Sequence, residues 1–223
     1  YRLSGFRQVK LKVGIAGQDD VKRTRIIRRW LGRRMDLRID ANEAWTAGEV
    51  AERIRALEPF GITSVEQPVR HEDVASLADV RKQVKTPVML DESLCGEVDG
   101  ERAVRHGWCD LFNIRLSKCG GFIPSLRLAQ LAKRHGLGYQ LGCQVGETAI
   151  LSAAGRHFAT SVADIRYLEG SYDRYLVWET LSWDETTLGR GGWAPIFVSS
   201  GLGVTIDPPK LANVTVRKET LLG

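Results

Sequence analysis

A strand-forming stretch followed by a helix-forming stretch recurs along this chain at a nearly constant interval. Short runs rich in β-branched residues end in a polar residue, and an amphipathic stretch follows each run. Successive strand ends lie 28, 26, 25 and 27 residues apart, in the series Lys12, Asp40, Glu66, Asp91 and Lys118. Strands and helices in alternation predict parallel strands joined by helical crossovers.

The same step continues to Gln144 and Glu169, which makes seven strands in register. In a doubly wound open sheet, functional residues collect at one crevice where the strand order reverses. In a β/α barrel, they stand at the C-terminal ends of many strands. Polar residues at the same end of successive strands therefore favour an α/β barrel.

Three carboxylates occupy consecutive strand ends in this series. Asp40, Glu66 and Asp91 each close an apolar strand, and strand alternation places Asn42 on the same side as Asp40. Closing the barrel would bring the three acids together, and they could not all stay ionised without a counter-charge. Oxygen ligands alone favour Mg²⁺, with Mn²⁺ as the second choice, over zinc.

The first strand, "VKLKVG" (residues 9–14), carries two lysines in an apolar run. Alternation turns Lys10 and Lys12 to the barrel interior and the intervening apolar residues toward the helices. A buried ammonium group is costly unless it is paired. A metal ion and a second ammonium nearby would weaken the hold of Lys12 on its proton, so we expect Lys12 to act as a general base.

The composition fits an ordinary folded protein. The chain has 223 residues, of which 43% are hydrophobic and 26% are charged. It has no apolar run of membrane-spanning length, and its first residues lack the apolar core of a signal peptide. We therefore expect a cytoplasmic protein with no membrane partner.

A basic run, "KRTRIIRRWLGRR", packs seven of the cationic residues between Lys22 and Arg34 and contributes to a net charge of +5. A nucleic-acid-binding protein would use such a run. The alternative is a helix whose apolar stripe contains Ile26, Ile27, Trp30 and Leu31 and whose arginines are solvated. No nucleic-acid motif accompanies the run, so the second interpretation is favoured and no nucleic-acid partner is expected.

Five segments in this order and spacing closely resemble the catalytic barrel of the enolase superfamily, in the muconate lactonizing enzyme subgroup. They are "VKLKVG", "RIDANEAW", "VEQP", "MLDES" and "NIRLSKCGG". The resemblance implies a (β/α)7β TIM-like barrel that lacks the N-terminal capping domain and the first barrel strand. It places barrel strands two to eight in residues 1–190, and it makes residues 191–223 a segment that returns toward the cap as a strand.

The resemblance also implies roles for the strand-end residues. Asp40, Glu66 and Asp91 would hold Mg²⁺, and Lys12 would be the acid/base at the α-carbon of a small-molecule carboxylate substrate. Lys10 would tune Lys12 or contact the substrate carboxylate. An α-proton beside a carboxylate is weakly acidic, so a cation is needed where negative charge develops on the enolate oxygen.

One departure from the subgroup concerns the second base. Where the subgroup has a lysine on its sixth barrel strand this chain has Arg115, and Lys118 follows three residues later. Arginine stays protonated near neutral pH, so two-base racemisation is disfavoured unless Lys118 swings in. We expect one-base chemistry like that of muconate cycloisomerase or o-succinylbenzoate synthase. The alternatives are a racemase or epimerase of N-acyl amino acids or dipeptides, and an inactive barrel that serves as a binding subunit.

A second departure concerns the substrate. Dipeptide epimerases carry an Asp-x-Asp pair on the eighth strand to hold the substrate ammonium, whereas "YLEGSYD" offers Glu169 alone. Substrate contacts are expected from residues at four strand ends: Asn42, Asn113, Gln144 and Glu169. Gln140 is expected to line the same pocket, and the subgroup leads us to expect a homo-oligomer.

Overall fold

Seven parallel strands form one sheet in which the spatial order follows the chain order. This is a computed structural model that describes residues 1–171 and 173–219. The strands are β1 (Gln8–Lys12), β2 (Asp36–Asp40), β3 (Val65–Glu66), β4 (Val88–Leu90), β5 (Leu111–Ile114), β6 (Gly138–Leu141) and β7 (Tyr167–Leu168).

A helix follows almost every strand, as the alternating sequence pattern predicts. The α-helices are α1 (Asp20–Leu31), α2 (Val50–Leu57), α3 (Leu77–Gln83), α4 (Glu97–His106), α5 (Phe122–Arg134), α6 (Ala149–Ser161), α7 (Asp173–Leu176) and α8 (Pro208–Val214). Short 3₁₀ segments lie at Glu58–Phe60, His71–Ser76 and Arg190–Gly192. Among the described residues, none of the helices is both long enough and apolar enough to cross a lipid bilayer.

The sheet curls until its first and last strands approach each other. The Gln8 side-chain amide donates to the carbonyl of Arg166, 3.4 Å away, and Lys10 Nζ lies 2.9 Å from a carboxylate oxygen of Glu169. These contacts cross the seam between β1 and β7. The expected α/β barrel, with seven strands and helices outside, is confirmed.

The strand residues that face outward pack against the helices to form the main apolar core. Leu11 and Leu37 belong to it, and so does the buried face of α2, where Val50, Ile54 and Leu57 are each at most 1% exposed. This face follows the helical spacing read from the sequence.

The basic helix α1 is amphipathic, but its apolar stripe is narrower than predicted. Ile27 and Leu31 pack against the core, whereas Ile26 is 49% exposed and Trp30 is 76% exposed. Asp19 caps the helix by accepting a hydrogen bond from the backbone N–H of Lys22. The prediction was therefore wrong for Ile26 and Trp30, because 3.6 residues per turn do not place four residues of this segment on one narrow face.

The prediction of a strand in the C-terminal segment was also wrong where α8 forms. Asp207 is the N-cap and accepts from the backbone N–H of Lys210, and two prolines occupy the first helical turn. Proline is favoured there because its fixed φ suits a helix start and its missing N–H is not needed. The division of the chain at residue 190, and a return toward a cap, stay predictions.

Candidate functional site

The parallel register sets the C-terminal ends of β1, β2 and β3 side by side. Lys12 pairs with Asp40, and Asp40 pairs with Glu66. Asp91 directly follows β4, and all three carboxylates are 0% exposed. The structure thus places the three predicted acids at one end of the barrel.

Lys10 is the cation around which the interior carboxylates collect. Its Nζ lies 3.2 Å from each oxygen of Glu66, 3.2 Å from Asp40 Oδ2 and 2.9 Å from Glu169 Oε1. Burial alone would lower the pKa of Lys10, but the coulombic effects of Glu66, Glu169 and Asp40 raise it above its usual value. Lys10 therefore stays charged and serves as a fixed counter-ion.

Lys12 lies two residues after Lys10 on the same face of β1 and is in a different environment. Its side chain is 51% exposed, and its Nζ contacts Asp40 Oδ2 at 2.7 Å and the side-chain oxygen of Asn42. The backbone N–H of Asn42 in turn donates to Asp40 Oδ1 at 3.0 Å. Two neighbours hold the Lys12 ammonium at the mouth of the barrel, where it remains accessible.

Glu66 is an acid of the site whose ionisation is disfavoured. Burial raises the pKa of Glu66 to about 8, and the carboxylates of Asp40, Glu169 and Asp91 act in the same direction against the opposing charge of Lys10. Asp40 shows the opposite result: although burial opposes ionisation, Lys10 and Lys12 lower its pKa. The barrel end therefore carries more negative charge around Glu66 than Lys10 compensates.

Arg115, just beyond β5, meets the other side of the acid cluster. One of its terminal nitrogens contacts Asp91 and lies 3.6 Å from Glu66 Oε1, and the other donates to Gln144 at 2.9 Å. Burial opposes its charge, but Asp91 and Glu66 raise the pKa of Arg115. Arg115 is thus a permanent cation at the C-terminal end of β5, beside Asp91 and Glu66.

Lys118 lies at the edge of the acid cluster, and backbone carbonyls hold most of its ammonium. Its Nζ donates to three backbone carbonyls: those of Asp91 and Leu94, both at 2.6 Å, and that of Asn113 at 3.2 Å. Its side chain is 11% exposed. The same ammonium lies 3.1 Å from the carboxylate oxygen Oδ1 of Asp91, so Lys118 ties the loop after β4 to β5 and also meets the acid cluster. An acid/base role for Lys118 stays a prediction.

The predicted substrate residues divide into two groups. Gln144 is exposed and Asn42 is accessible beside Lys12. Asn113 and Glu169 are used internally: Asn113 Nδ2 donates to Glu66 at 2.8 Å, and Glu169 pairs with Lys10 and with Arg38 at 3.0 Å. Asn113 acts on the ionisation of Glu66 through this hydrogen bond, and Glu169 acts on it through Lys10.

Sequence reasoning missed three polar residues that support this end of the barrel. Arg38 is 3% exposed and bonds both Gln140 and Glu169. It stands two residues before Asp40 on β2, so the same alternation that turned Lys10 inward could have found it. Gln67 accepts from the backbone N–H of Asp91 at 2.9 Å and fixes the loop that carries this acid. Glu92 accepts from Asn42 at 3.0 Å, and burial raises its pKa.

The donor set suits a hard divalent cation, because it consists of carboxylate oxygens from adjacent strands. Asn113 presents its amide nitrogen to Glu66, and its buried side-chain oxygen, which lies against Gly142, has no hydrogen-bond donor in the described structure. In the described ranges, no group of three His, Cys, Asp or Glu side chains is arranged to hold a metal as placed, and Lys10 and Arg115 contact the acids instead. Binding a cation would require Arg115 to turn away from Asp91.

Comparison with known proteins gives a consistent result. Residues 1–210 match the family model described as enolase C-terminal domain-like. A hydrophobic dipeptide epimerase of Enterococcus faecalis is 38% identical over 72% of this chain and 46% of its own length. An N-succinylamino acid racemase of an Amycolatopsis species is 29% identical over 98% of this chain and 58% of its own. The chain spans about half the length of these relatives.

Solved structures are also similar. A dipeptide epimerase of Cytophaga hutchinsonii, complexed with Mg and the dipeptide D-Ala-L-Val, is 30% identical with a TM-score of 0.87, over 95% of this chain and 57% of that one. The muconate lactonizing enzyme of Pseudomonas putida is 26% identical with a TM-score of 0.85, over 95% and 58% of the two chains. The fold is thus similar both to a dipeptide epimerase and to a muconate lactonizing enzyme.

The Lys118 contacts generate a stability prediction. Lys118→Met would leave three buried carbonyls without their charged donor, so we expect a loss of roughly 3 kcal/mol in the free energy of unfolding. Urea unfolding followed by circular dichroism would measure it. Lys82→Met is the control, since Lys82 is 74% exposed and pairs with Asp79 at the surface. Similar small losses for both variants would contradict a structural role for Lys118.

Proposed function

Because the chain belongs to the enolase C-terminal domain-like family, we propose that it is a Mg²⁺-dependent isomerase. In this proposal it moves the proton on the carbon α to the carboxylate of an N-acylated amino acid, a class that includes dipeptides. The names of the relatives support racemase or epimerase chemistry over the expected muconate-cycloisomerase or o-succinylbenzoate-synthase chemistry. The muconate enzyme supports the fold equally well but shares less sequence with this chain.

The position of Lys12 carries the proposal. Of the two interior lysines, Lys10 is held by three carboxylates, whereas Lys12 is half exposed at the barrel mouth beside Asp40 and Asn42. A general base must reach the proton that it takes. Lys12 can reach a ligand above the acids, and Lys10 cannot without breaking its ion pairs.

Asp40, Glu66 and Asp91 would hold the cation in this proposal. Mg²⁺ would supply Lewis-acid stabilisation of the negative charge that develops on the substrate carboxylate. Lys10 would hold Asp40 and Glu66 in position, and Gln67 would hold the loop of Asp91 through its backbone N–H. Arg115 would turn from Asp91 toward the substrate anion.

Glu169 bears on the choice of substrate. A dipeptide with a free ammonium group needs a carboxylate to receive it. The Glu169 carboxylate already pairs with Lys10 and Arg38, and these two cations lower its pKa although burial opposes ionisation. Within the proposed class, this occupancy supports an acyl group that carries no ammonium, as in the N-succinyl amino acids that the name of the Amycolatopsis relative mentions, over a dipeptide with a free N-terminus.

Metal binding is the first test. We expect isothermal titration calorimetry to detect Mg²⁺ binding by the unaltered chain and a loss of at least tenfold in affinity for Glu66→Gln, since the amide removes one anionic ligand. Glu72→Gln makes the same charge change at a residue with an exposed side chain and should bind like the unaltered chain. Equal binding by all three proteins would contradict a site at the three acids.

Proton exchange tests the chemistry. In D₂O with Mg²⁺, we expect the chain to replace the α-proton of an N-succinyl-L-amino acid with deuterium, as followed by ¹H NMR. Lys12→Ala should slow this exchange by about 10²- to 10⁴-fold because it removes the base. Lys82→Ala should have no effect. Exchange that persists in Lys12→Ala would contradict the role of Lys12.

The identity of residue 115 predicts a stereochemical result. Arginine can stabilise an anion but does not take a proton near neutral pH, so we expect exchange to be faster than inversion at the α-carbon. Arg115→Lys should raise the rate of inversion relative to exchange, since an amine can act as a second base. Chiral chromatography beside the NMR assay measures the ratio. A ratio that does not change in Arg115→Lys would contradict this assignment.

A further inference from the structure

A cleft lined by arginines lies away from the candidate site. We call it the basic cleft; it has a volume of about 790 Å³ and is lined by Arg2, Phe6, Arg7 and residues 31–35. Residues 31–35 include Arg33 and Arg34. Four arginines thus line one open cleft of the size that small ligands occupy.

The basic cleft is at the opposite end of the barrel from the three acids. Its walls are the segments that precede β1 and β2, whereas the acids stand at or beyond the C-terminal strand ends. β1 has five residues, which separates its two ends by roughly 13 Å. A ligand in the basic cleft would therefore be distinct from a substrate at Lys12, and this inference does not depend on the proposed function.

The charges of the basic cleft are not compensated within the described part of the chain. In residues 1–171 and 173–219, Arg7, Arg33 and Arg34 have no carboxylate partner, and all three are exposed. Arg2 donates to the carbonyl of Trp30 at 3.1 Å, which orients it but leaves its charge unbalanced. The nearby carboxylate of Asp36 accepts a hydrogen bond from Thr63 at 2.6 Å, and its charge acts on Arg28. Positive charges gathered in one concavity make the electrostatic potential there more positive, which attracts an anion.

The loop that carries Arg33 and Arg34 is held in a fixed position. The guanidinium of Arg28 donates to the carbonyls of Gly32 at 2.9 Å and Met35 at 2.7 Å, one on each side of the two arginines. The same side chain donates to Phe60 and Gly61 at 2.7 and 2.9 Å. A loop that is anchored at both ends spends little conformational entropy when a ligand binds.

We propose that the basic cleft binds a small anion that carries two or more phosphate groups. The guanidinium group offers a planar pair of donors that matches a phosphate, and arginine is favoured for such recognition. Four of them spread over a cleft of this volume fit several linked phosphates better than one carboxylate. The cleft is open to solvent, and its four arginines lie on two short segments that flank one concavity, an extent that favours a small anion over the surface of a membrane or a nucleic acid.

Calorimetry with sodium tripolyphosphate tests the proposal. We expect the 223-residue chain to bind it, with an affinity that falls as salt is raised. Arg33→Ala/Arg34→Ala should weaken binding at least tenfold. Arg33→Lys/Arg34→Lys keeps the positive charges but removes the planar pair of guanidinium donors. The affinity of this variant should therefore fall between those of the unaltered chain and the double alanine variant. Far-UV circular dichroism would verify that each variant is folded.

Lys22→Ala/Arg25→Ala is the matched control, because it removes the same charge from exposed positions of α1 outside the basic cleft. It should bind within twofold of the unaltered chain, whereas an equal loss in both double variants would mean attraction by net charge and would overturn the proposal. ATP in place of tripolyphosphate distinguishes a nucleotide from inorganic polyphosphate as the source of the phosphates. No heat with either ligand up to about 1 mM would also overturn it, as would binding of duplex DNA or phosphatidylglycerol vesicles alone.

Discussion

The burial of a lysine ammonium inside the barrel is the constraint on which the rest of the structure depends. Lys10 stands on the first strand, and a charge in that position must be paired. Its partners come from β2, β3 and the end of β7, so one cation joins the beginning of the sheet to its last strand. The seam between β1 and β7 is crossed by this ion cluster and by the Gln8 contact.

The different roles of Lys10 and Lys12 at the barrel mouth follow from that ion cluster. Lys10 neutralises part of the charge of Asp40 and Glu66 and keeps them close, while Lys12, two residues on, is left at the surface of the site. Arg115 and Lys118 both pair with the carboxylate of Asp91, and Lys118 also donates to backbone carbonyls of the loop that carries it. The acids are thus assembled among cations of the protein.

The regular interval between strand ends was enough to predict seven parallel strands, their helices and the three acids at one end. It worked because a parallel register carries residues at equal sequence intervals to the same edge of the sheet. The prediction failed where local chemistry competes with the pattern. Two prolines and Asp207 begin a helix where β-branched residues suggested a strand, and Ile26 and Trp30 are turned outward on α1.

Function was less accessible than the fold. Arg115 in place of a lysine led to an expectation of one-base chemistry like that of muconate cycloisomerase or o-succinylbenzoate synthase, whereas the similar proteins are epimerases and racemases as well as a muconate enzyme. One residue type constrains which steps are possible, but the substrate is chosen by the shape and charge of the whole mouth. The ion pairs of Glu169 bear on that choice, and nothing in "YLEG" shows them.

The sequence by itself determined which residues stand at the strand ends and which face inward, because strand alternation and a constant interval depend only on local backbone geometry. Only the tertiary structure decided what each of these groups does. Lys10 is a buried counter-ion and the side chain of Lys12 is accessible, although both residues are lysines on the same face of the same strand. Lys118 ties a loop, and four arginines from two segments meet in one cleft. The reason is that charge state and accessibility are set by neighbours distant in the chain, which only the closed fold brings together.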